Sequence, residues 1–422
     1  MTWSTRAPDV RDETSGQVVR SGGFGGARIA LGVSGGIAAY RAADLASRLV
    51  RAGSIVDVML TEGATRFIQP LTFEALTGRP VYTGPFDGWG DGASGHVSIA
   101  RDADAMLIAP ATANTMARLA QGFTDDMLGA VALSTTAPLL IAPAMEHHMW
   151  HHPATQQNLR TLVDRGAIVV PPESGRLASG AIGDGRLASP EVILGTLRTV
   201  LGRHGPLQGR RVVVSAGGTR EALDPVRYIG NRSSGRMGVA IAEAALDAGA
   251  EVTIVATPSV LMAMHGMDVV QVESAVEMHH AVSNASRDAV ALIMAAAVSD
   301  FRSRTHATQK IKKKPDQDLL TIQLVKNQDI VASIQEPGLV KIGFAAETQD
   351  LLLNAQRKLE EKGLAMIVAN DALETIGSNQ SRATLLFPRR DPVTLPALPK
   401  EEVARHIVAE LISIIMERDS GA

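Results

Sequence analysis

Two stretches of the chain open on the same pattern, an apolar run that halts at glycine. Residues 28–36 read RIALGVSGG and residues 211–218 read RVVVSAGG, and a helical pattern follows each. That order of signals predicts the strand–turn–helix start of a doubly wound α/β unit. Its return about 180 residues later predicts two α/β domains in tandem, joined through the Gly- and Pro-containing stretch 201–209. Further buried-strand patterns fall at 55–60, 105–109, 139–142 and 167–170, then at 252–256, 290–297, 319–325, 339–345 and 366–369. Helical patterns lie between them, which suits parallel sheets. Residues 349–362 read as an amphipathic helix with Lys358 and Lys362 one turn apart. The uncharged window 127–144 approaches membrane-spanning length. It holds Ser134, Thr135, Thr136 and two prolines, so it is expected to be a helix end followed by a buried strand.

Composition narrows the classes. At 422 residues the chain has room for two or three domains of roughly 150 residues each. Apolar residues make up 45% and charged residues 20%, which excludes disorder over most of the length. A net charge of −3 gives no basic field for nucleic acid, and 3% aromatics disfavour a base-stacking platform. Cysteine is absent, which removes disulfides, zinc-thiolate sites, iron–sulfur clusters and cysteine nucleophiles. Residues 1–26 carry no apolar signal core and are expected to form a disordered tail on a cytoplasmic protein. All nine lysines lie at or after Lys310, and the first 309 residues use arginine alone. Codon bias is the plain explanation; in the sharper reading, some late lysines serve as compact donors to phosphate or acyl oxygens.

Neither glycine turn is a P-loop or a full GxGxxG fingerprint, so nucleotide kinases and ordinary NAD dehydrogenases are weakly supported. Each turn offers main-chain N–H groups at a helix start, and Ser34 adds a hydroxyl, which suits a mononucleotide phosphate. His147, His148, His151 and His152 include i, i+4 pairs of the metal-binding kind. Pro153 follows them directly, and a metal is not expected there.

Longer motifs carry a resemblance. Gly32-Val-Ser-Gly-Gly-Ile-Ala-Ala-Tyr40, Ala109-Pro-Ala-Thr-Ala-Asn114 and Pro143-Ala-Met-Glu-His-His-Met-Trp150 resemble the flavin-binding cysteine decarboxylases. Gly217-Gly-Thr-Arg-Glu-Ala-Leu-Asp-Pro-Val-Arg227, Asn231-Arg-Ser-Ser-Gly235, Ala296-Ala-Val-Ser-Asp300, Lys310-Ile-Lys-Lys313 and Gly343-Phe-Ala-Ala-Glu-Thr348 resemble phosphopantothenate–cysteine ligase. Together, over roughly residues 27–418, they resemble the bacterial bifunctional family of coenzyme A biosynthesis. The resemblance implies a flavodoxin-like FMN-binding decarboxylase domain over 27–204 and a Rossmann-like ligase domain over 205–422. The ligase would join cysteine to 4′-phosphopantothenate through an acyl-cytidylate made from CTP, with Mg²⁺ on the phosphates. The decarboxylase would oxidise the thiol of the product with FMN, release CO₂ and reduce the enethiolate to 4′-phosphopantetheine.

The same resemblance assigns residues. FMN would be held by Gly32, Ser34, Gly35, Gly36, Thr61, Pro110, Ala111, Thr112 and Asn114. His96, on a loop before a helix, would be the base. Glu146 stands where the family has a substrate-binding asparagine, and a carboxylate facing the substrate carboxylate would repel it. Ser179 stands where the family has a proton-donating cysteine. His147 or His148 offers another donor. In the ligase, Lys310 would be the catalytic lysine, Asn231 would hold the acyl-cytidylate and Arg227 would support the same loop. Gly217 and Gly218 would cradle the triphosphate. Asp300, Phe344, Lys358 and Lys362 would line the nucleotide site, with main-chain contacts from Met294, Ala295, Ala296, Gln328, Asp329, Ile330 and Val331. Metal ligands stay unknown. Small-molecule substrates and a homo-oligomer, with trimeric decarboxylase and dimeric ligase contacts, are expected, without nucleic acid or membrane. Two alternatives stay open: a ligase whose flavin domain is impaired at Ser179 and Glu146, and a non-catalytic flavoprotein regulator.

Overall fold

A computed structural model describes residues 10–11, 18–19, 23–87, 95–178, 180–260, 264–312, 319–347, 350–371 and 378–421. Its chain contacts form two units, Gly22–Arg203 and one that contains His204–Ala422. In the first, β1 (Arg28–Val33), β2 (Ile55–Leu60), β3 (Val81–Tyr82), β4 (Ala105–Ala111), β5 (Leu139–Pro143) and β6 (Ile168–Val169) form one sheet. Its order is β3-β2-β1-β4-β5-β6 and every pairing is parallel. Alternation along β1 explains why both faces are covered: Ile29, Leu31 and Val33 enter one core, and Ala30 enters the other. The uncharged window is a helix, Met127–Ser134, followed by buried β5. Among the described residues, no helix is long and apolar enough to cross a membrane.

The second unit repeats the plan. Its sheet is built from β9 (Arg211–Ala216), β12 (Glu251–Ala256), β13 (Asp268–Gln271), β14 (Ala291–Met294), β17 (Val340–Glu347), β18 (Met366–Asp371), β19 (Gln380–Leu386) and β20 (Val393–Pro399), in order β13-β12-β9-β14-β17-β18-β19-β20. The first six in that order pair in parallel, and β19 and β20 continue the edge antiparallel. Val212, Val214 and Ala216 face one core and Val213 the other. Short hairpins complete the molecule: β7 (Glu173–Arg176) with β8 (Ile182–Arg186), β10 (Arg220–Ala222) with β11 (Tyr228–Gly230), and β15 (Phe301–Ser303) with β16 (Leu324–Lys326).

Four expectations change. Residues 23–26, expected in the tail, belong to the first unit: Phe24 is buried in its core and Gly26 donates to the Gly53 carbonyl. Val10–Arg11 pairs with Val18–Val19, and the rest of that stretch lies outside the described residues. The apolar run 319–325 is no buried strand: Leu319 is 82% exposed, and only Leu324–Lys326 extends, as β16. The expected helix at 349–362 spans Leu351–Glu361. Within the stretch read as a linker, Leu207 is fully buried and donates its N–H to the Ala248 carbonyl.

One late lysine is structural. Lys341 Nζ donates to the carbonyls of Val331, Ile334 and Lys362, which end two helices, at 3.4, 3.3 and 3.1 Å. Burial lowers its pKa from 10.5. A guanidinium fork is planar and bulky, whereas a single ammonium serves three convergent carbonyls. Lys341→Met strands these acceptors and is expected to cost about 1–3 kcal/mol of stability in urea unfolding. An unchanged midpoint would show that water replaces the ammonium.

Candidate functional site

In a doubly wound sheet the crevice opens where neighbouring crossovers leave in opposite directions, here between β1 and β4 and between β9 and β14. Ser34 follows β1 and is fully buried. Its Oγ donates to the Pro110 carbonyl at 2.7 Å and accepts from the Thr112 N–H at 2.9 Å. Its proton is therefore spent inside the protein, a correction to the expectation of a hydroxyl free for phosphate. Gly32 also has a packing reason, since a Cβ there would come within 2.7 Å of Leu128. Gly35 backs onto Gly63, where a Cβ would meet main chain at 2.5 Å. Gly36 faces no such block; its nearest neighbour would be Thr112 Cγ2 at 3.5 Å.

Around this gap stand Thr61 and Thr112. Each caps a helix start, accepting from Ala64 N–H at 3.2 Å and from Thr115 N–H at 3.3 Å respectively. Thr112 opens the helix Ala113–Gln121, on whose first turn Asn114 is exposed. Pro110 and Ala111 end β4, with Ala109–Pro110 cis and Ala111 buried. A cradle of glycine main chain, a helix N-terminus, the Thr61 hydroxyl and an exposed amide fits the phosphate and polar edge of a flavin mononucleotide. The wall formed by Gly63 is too close for any side chain at Gly35.

His96 is the second residue of the helix Gly95–Asp102 and half-buried, rather than on the loop before it. The helix leads back into β4, so its first turn lies toward the carboxyl ends of the strands. Ser179 lies outside the described residues.

Glu146 already has partners within its own helix. It caps the short helix α7 (His147–His151): Oε2 accepts from His148 N–H at 2.8 Å and Met149 N–H at 3.3 Å. Its Oε1 lies 2.9 Å from His148 Nδ1, and that contact first, with the two N–H groups, holds the carboxyl below its usual range. The charge is thus met by donors of its own helix before any substrate arrives. Pro153 does not break up the histidines, because it opens the next helix, Pro153–Asp164, at its first position.

In the second unit, the Gly217–Gly218 turn is bound inward. Gly218 N–H donates to Ser259 Oγ at 3.2 Å, and Thr219 N–H donates to the Ala297 carbonyl at 3.3 Å. A Cβ on Gly217 would meet Thr257 Oγ1 at 2.1 Å, and one on Gly218 would meet the Asn231 carbonyl at 2.4 Å. The glycines bring Asn231 against the turn, and Asn231 Nδ2 donates to the Val298 carbonyl at 3.1 Å. Ser215 Oγ accepts from Ala296 N–H at 3.1 Å. The turn, Asn231 and residues 294–300 are thereby gathered, with Asp300 exposed and Met294 buried. Ala295 is half-buried beside them.

Sequence reading missed Asp224. Its side chain is fully buried and accepts from Val226 and Arg227 N–H at 2.8 Å each and from Ile311 N–H at 3.1 Å. Burial pushes this carboxyl up, and the three N–H groups outweigh it and hold it down. Arg227 Nη2 donates to the Ile311 carbonyl at 3.2 Å, so Ile311, next to Lys310, is held at both its N–H and its carbonyl. Lys310 itself is exposed, with no side-chain partner among the described residues. Asp329 and Lys362 pair at 2.8 Å. Ile330 and Val331 are core residues and offer main chain alone, while Gln328 is exposed. Phe344 and Lys358 are half-buried on β17 and on Leu351–Glu361. Asn370 Oδ1 and Ser299 Oγ, at the ends of β18 and after β14, are buried without a partner among the described residues. Strand carboxyl ends are the signal that would have found them.

The family model for the DNA/pantothenate metabolism flavoprotein C-terminal domain matches residues 207–415, and that for flavoproteins matches residues 21–202. Over 389 residues the chain is 44% identical to the coenzyme A biosynthesis bifunctional protein CoaBC of Vibrio cholerae, covering 91% of this chain and 97% of that one. Its counterpart in Mycolicibacterium smegmatis is 44% identical over 371 residues, 84% of this chain and 88% of that one. The solved C-terminal domain of a protein of the same name is 36% identical and covers 50% of this chain and 99% of that one, with a TM-score of 0.44.

The capped carboxylate has a pH signature. A carboxyl whose pKa is depressed in the folded state stabilises the fold above its ordinary value of 4.5 and loses that contribution as pH falls through the depressed value. Wild type should therefore melt above Glu146→Gln at pH 7, and the gap should close in acid. A gap independent of pH would remove the ionic cap.

Proposed function

The chain belongs to the family of bifunctional coenzyme A biosynthesis proteins, a flavin-dependent phosphopantothenoylcysteine decarboxylase and phosphopantothenate–cysteine ligase in one, and from that membership we propose how its residues divide the work. The second unit takes 4′-phosphopantothenate, cysteine and Mg²⁺–CTP. The substrate carboxylate attacks the α-phosphorus and pyrophosphate leaves. The cysteine amine then attacks the acyl carbon and CMP leaves. Charge builds on non-bridging phosphate oxygens in the first step, so a cation fixed beside them does most of the work.

Lys310 is that cation. The observation that carries the assignment is the double grip of Asp224 and Arg227 on the Ile311 peptide, which fixes the main chain next to an exposed ammonium. Asn231, tied to Val298, keeps Oδ1 toward the acyl-nucleotide. Asp300, Phe344, Lys358 and Lys362 line the nucleotide, and main chain at Met294, Ala295, Ala296 and Gln328 to Val331 contacts it.

The first unit takes the ligated product. FMN, seated against Gly35, Gly36, Thr61, Pro110, Ala111, Thr112 and Asn114, supplies reversible two-electron chemistry. His96 removes a proton from the substrate. Glu146 orients His148, which can return a proton through Nε2 while Nδ1–H stays on the carboxylate. The reading is of a cytoplasmic homo-oligomer whose partners are small molecules.

Lys310→Ala should lower pyrophosphate release by about 10²–10³ at saturating substrate, as loss of one charge-stabilising donor does. Asp224→Asn should lower it less, because the peptide loosens while the ammonium stays. Near-normal release by Lys310→Ala would sink the assignment. For the first unit, wild type should yield phosphopantetheine, whereas His148→Gln should release CO₂ yet accumulate the unreduced enethiol by mass. Full product from His148→Gln would return the proton to Ser179 or another donor.

A further inference from the structure

We infer that His147, His151 and Asp184 form a site for one divalent ion of the zinc type, which the proposed reactions do not use. The two histidines lie one turn apart on α7, with ring centroids 4.6 Å apart. Asp184 comes from the facing strand β8, and its Oδ2 is 3.1 Å from His151 Nε2. The three ligand atoms all lie within 4.8 Å of one another. Tetrahedral Zn²⁺ with bonds of about 2.0–2.1 Å sets its ligand atoms roughly 3.4 Å apart, so modest side-chain rotation closes the set. His151 and Asp184 are half exposed and free to make that rotation.

The hairpin is built to come this close. A Cβ on Gly183 would stand 2.7 Å from His147 Nδ1, so glycine alone admits the imidazole. His147 Nδ1 already turns its lone pair toward the hairpin, accepting from Asp184 N–H at 3.2 Å. An ion there replaces one long hydrogen bond with a coordinate bond. Two imidazoles and a carboxylate are borderline donors that favour zinc over magnesium or calcium, with water completing the shell. The competing pair, His148 and His152, is otherwise engaged: His148 faces Glu146, and His152 accepts from Ala154 N–H at 3.2 Å to cap a helix. The ion would staple β7–β8 to α7.

The test is equilibrium dialysis of the full-length protein, stripped with chelator, against Zn²⁺, with trypsin cleavage at Arg176 and Arg186 as a second readout. One Zn²⁺ per chain is expected, slowing cleavage of the hairpin. His151→Gln and Asp184→Asn should each weaken binding by at least about tenfold, with folding checked by circular dichroism, while His148→Gln keeps it. Three results overturn the site: no retention at roughly 0.1 mM Zn²⁺, unchanged binding in both ligand variants, or loss in His148→Gln.

Discussion

A buried serine at the end of the first strand sets the width of each crevice. Ser34 links β1 to β4 by donating to Pro110 and accepting from Thr112, and Ser215 links β9 to β14 by accepting from Ala296. Both are fully buried. At a switch point the helices diverge and no side chain fills the gap, so the two strand ends need a small polar tie that leaves the space open. Alanine would leave the Thr112 or Ala296 N–H unpaired at about 1–3 kcal/mol, and anything larger would intrude on the ligand. These two ties fix the capped helix at Thr112 in one unit and the start of residues 296–300 in the other.

Glycine is the second constraint, for a reason other than free N–H groups. Gly35 lies on Gly63, Gly217 on Thr257, and Gly218 on the Asn231 carbonyl, each nearer than a Cβ allows. Close approach of main chain is what brings residues distant in sequence to one rim. The rule that glycine turns hold anions points to the end of the first strand in both units. In the second, the N–H of Gly218 is already bonded to Ser259, so the electrostatics there come from side chains such as Lys310.

What was legible in the sequence follows from the same physics. Strands buried on both faces, such as β1, β4, β5 and β9, read as continuous apolar runs and were placed within a residue or two. Three strands of the second sheet do not stand out: β13 carries half-exposed Val269 and Val270, and β19 and β20 alternate too weakly. Motif positions for the site were legible through resemblance, but their partners were not. Asp224 works through the N–H of Ile311, 87 residues on, a link that no local spacing encodes.

Glu146 shows how far residue type alone misleads. A carboxylate in place of an amide looks like a charge aimed at a charge. Its cost is set by the donors that face it, and here two helix N–H groups and His148 face it. An amide offers a substrate one N–H donor and keeps its own acceptor. The Glu146–His148 pair keeps the acceptor on the carboxylate and moves the donor to the imidazole, since a carboxylate can only accept and so fixes the proton of neutral His148 on Nδ1. The carboxylate thus keeps its helix capped and sets the tautomer of its neighbour.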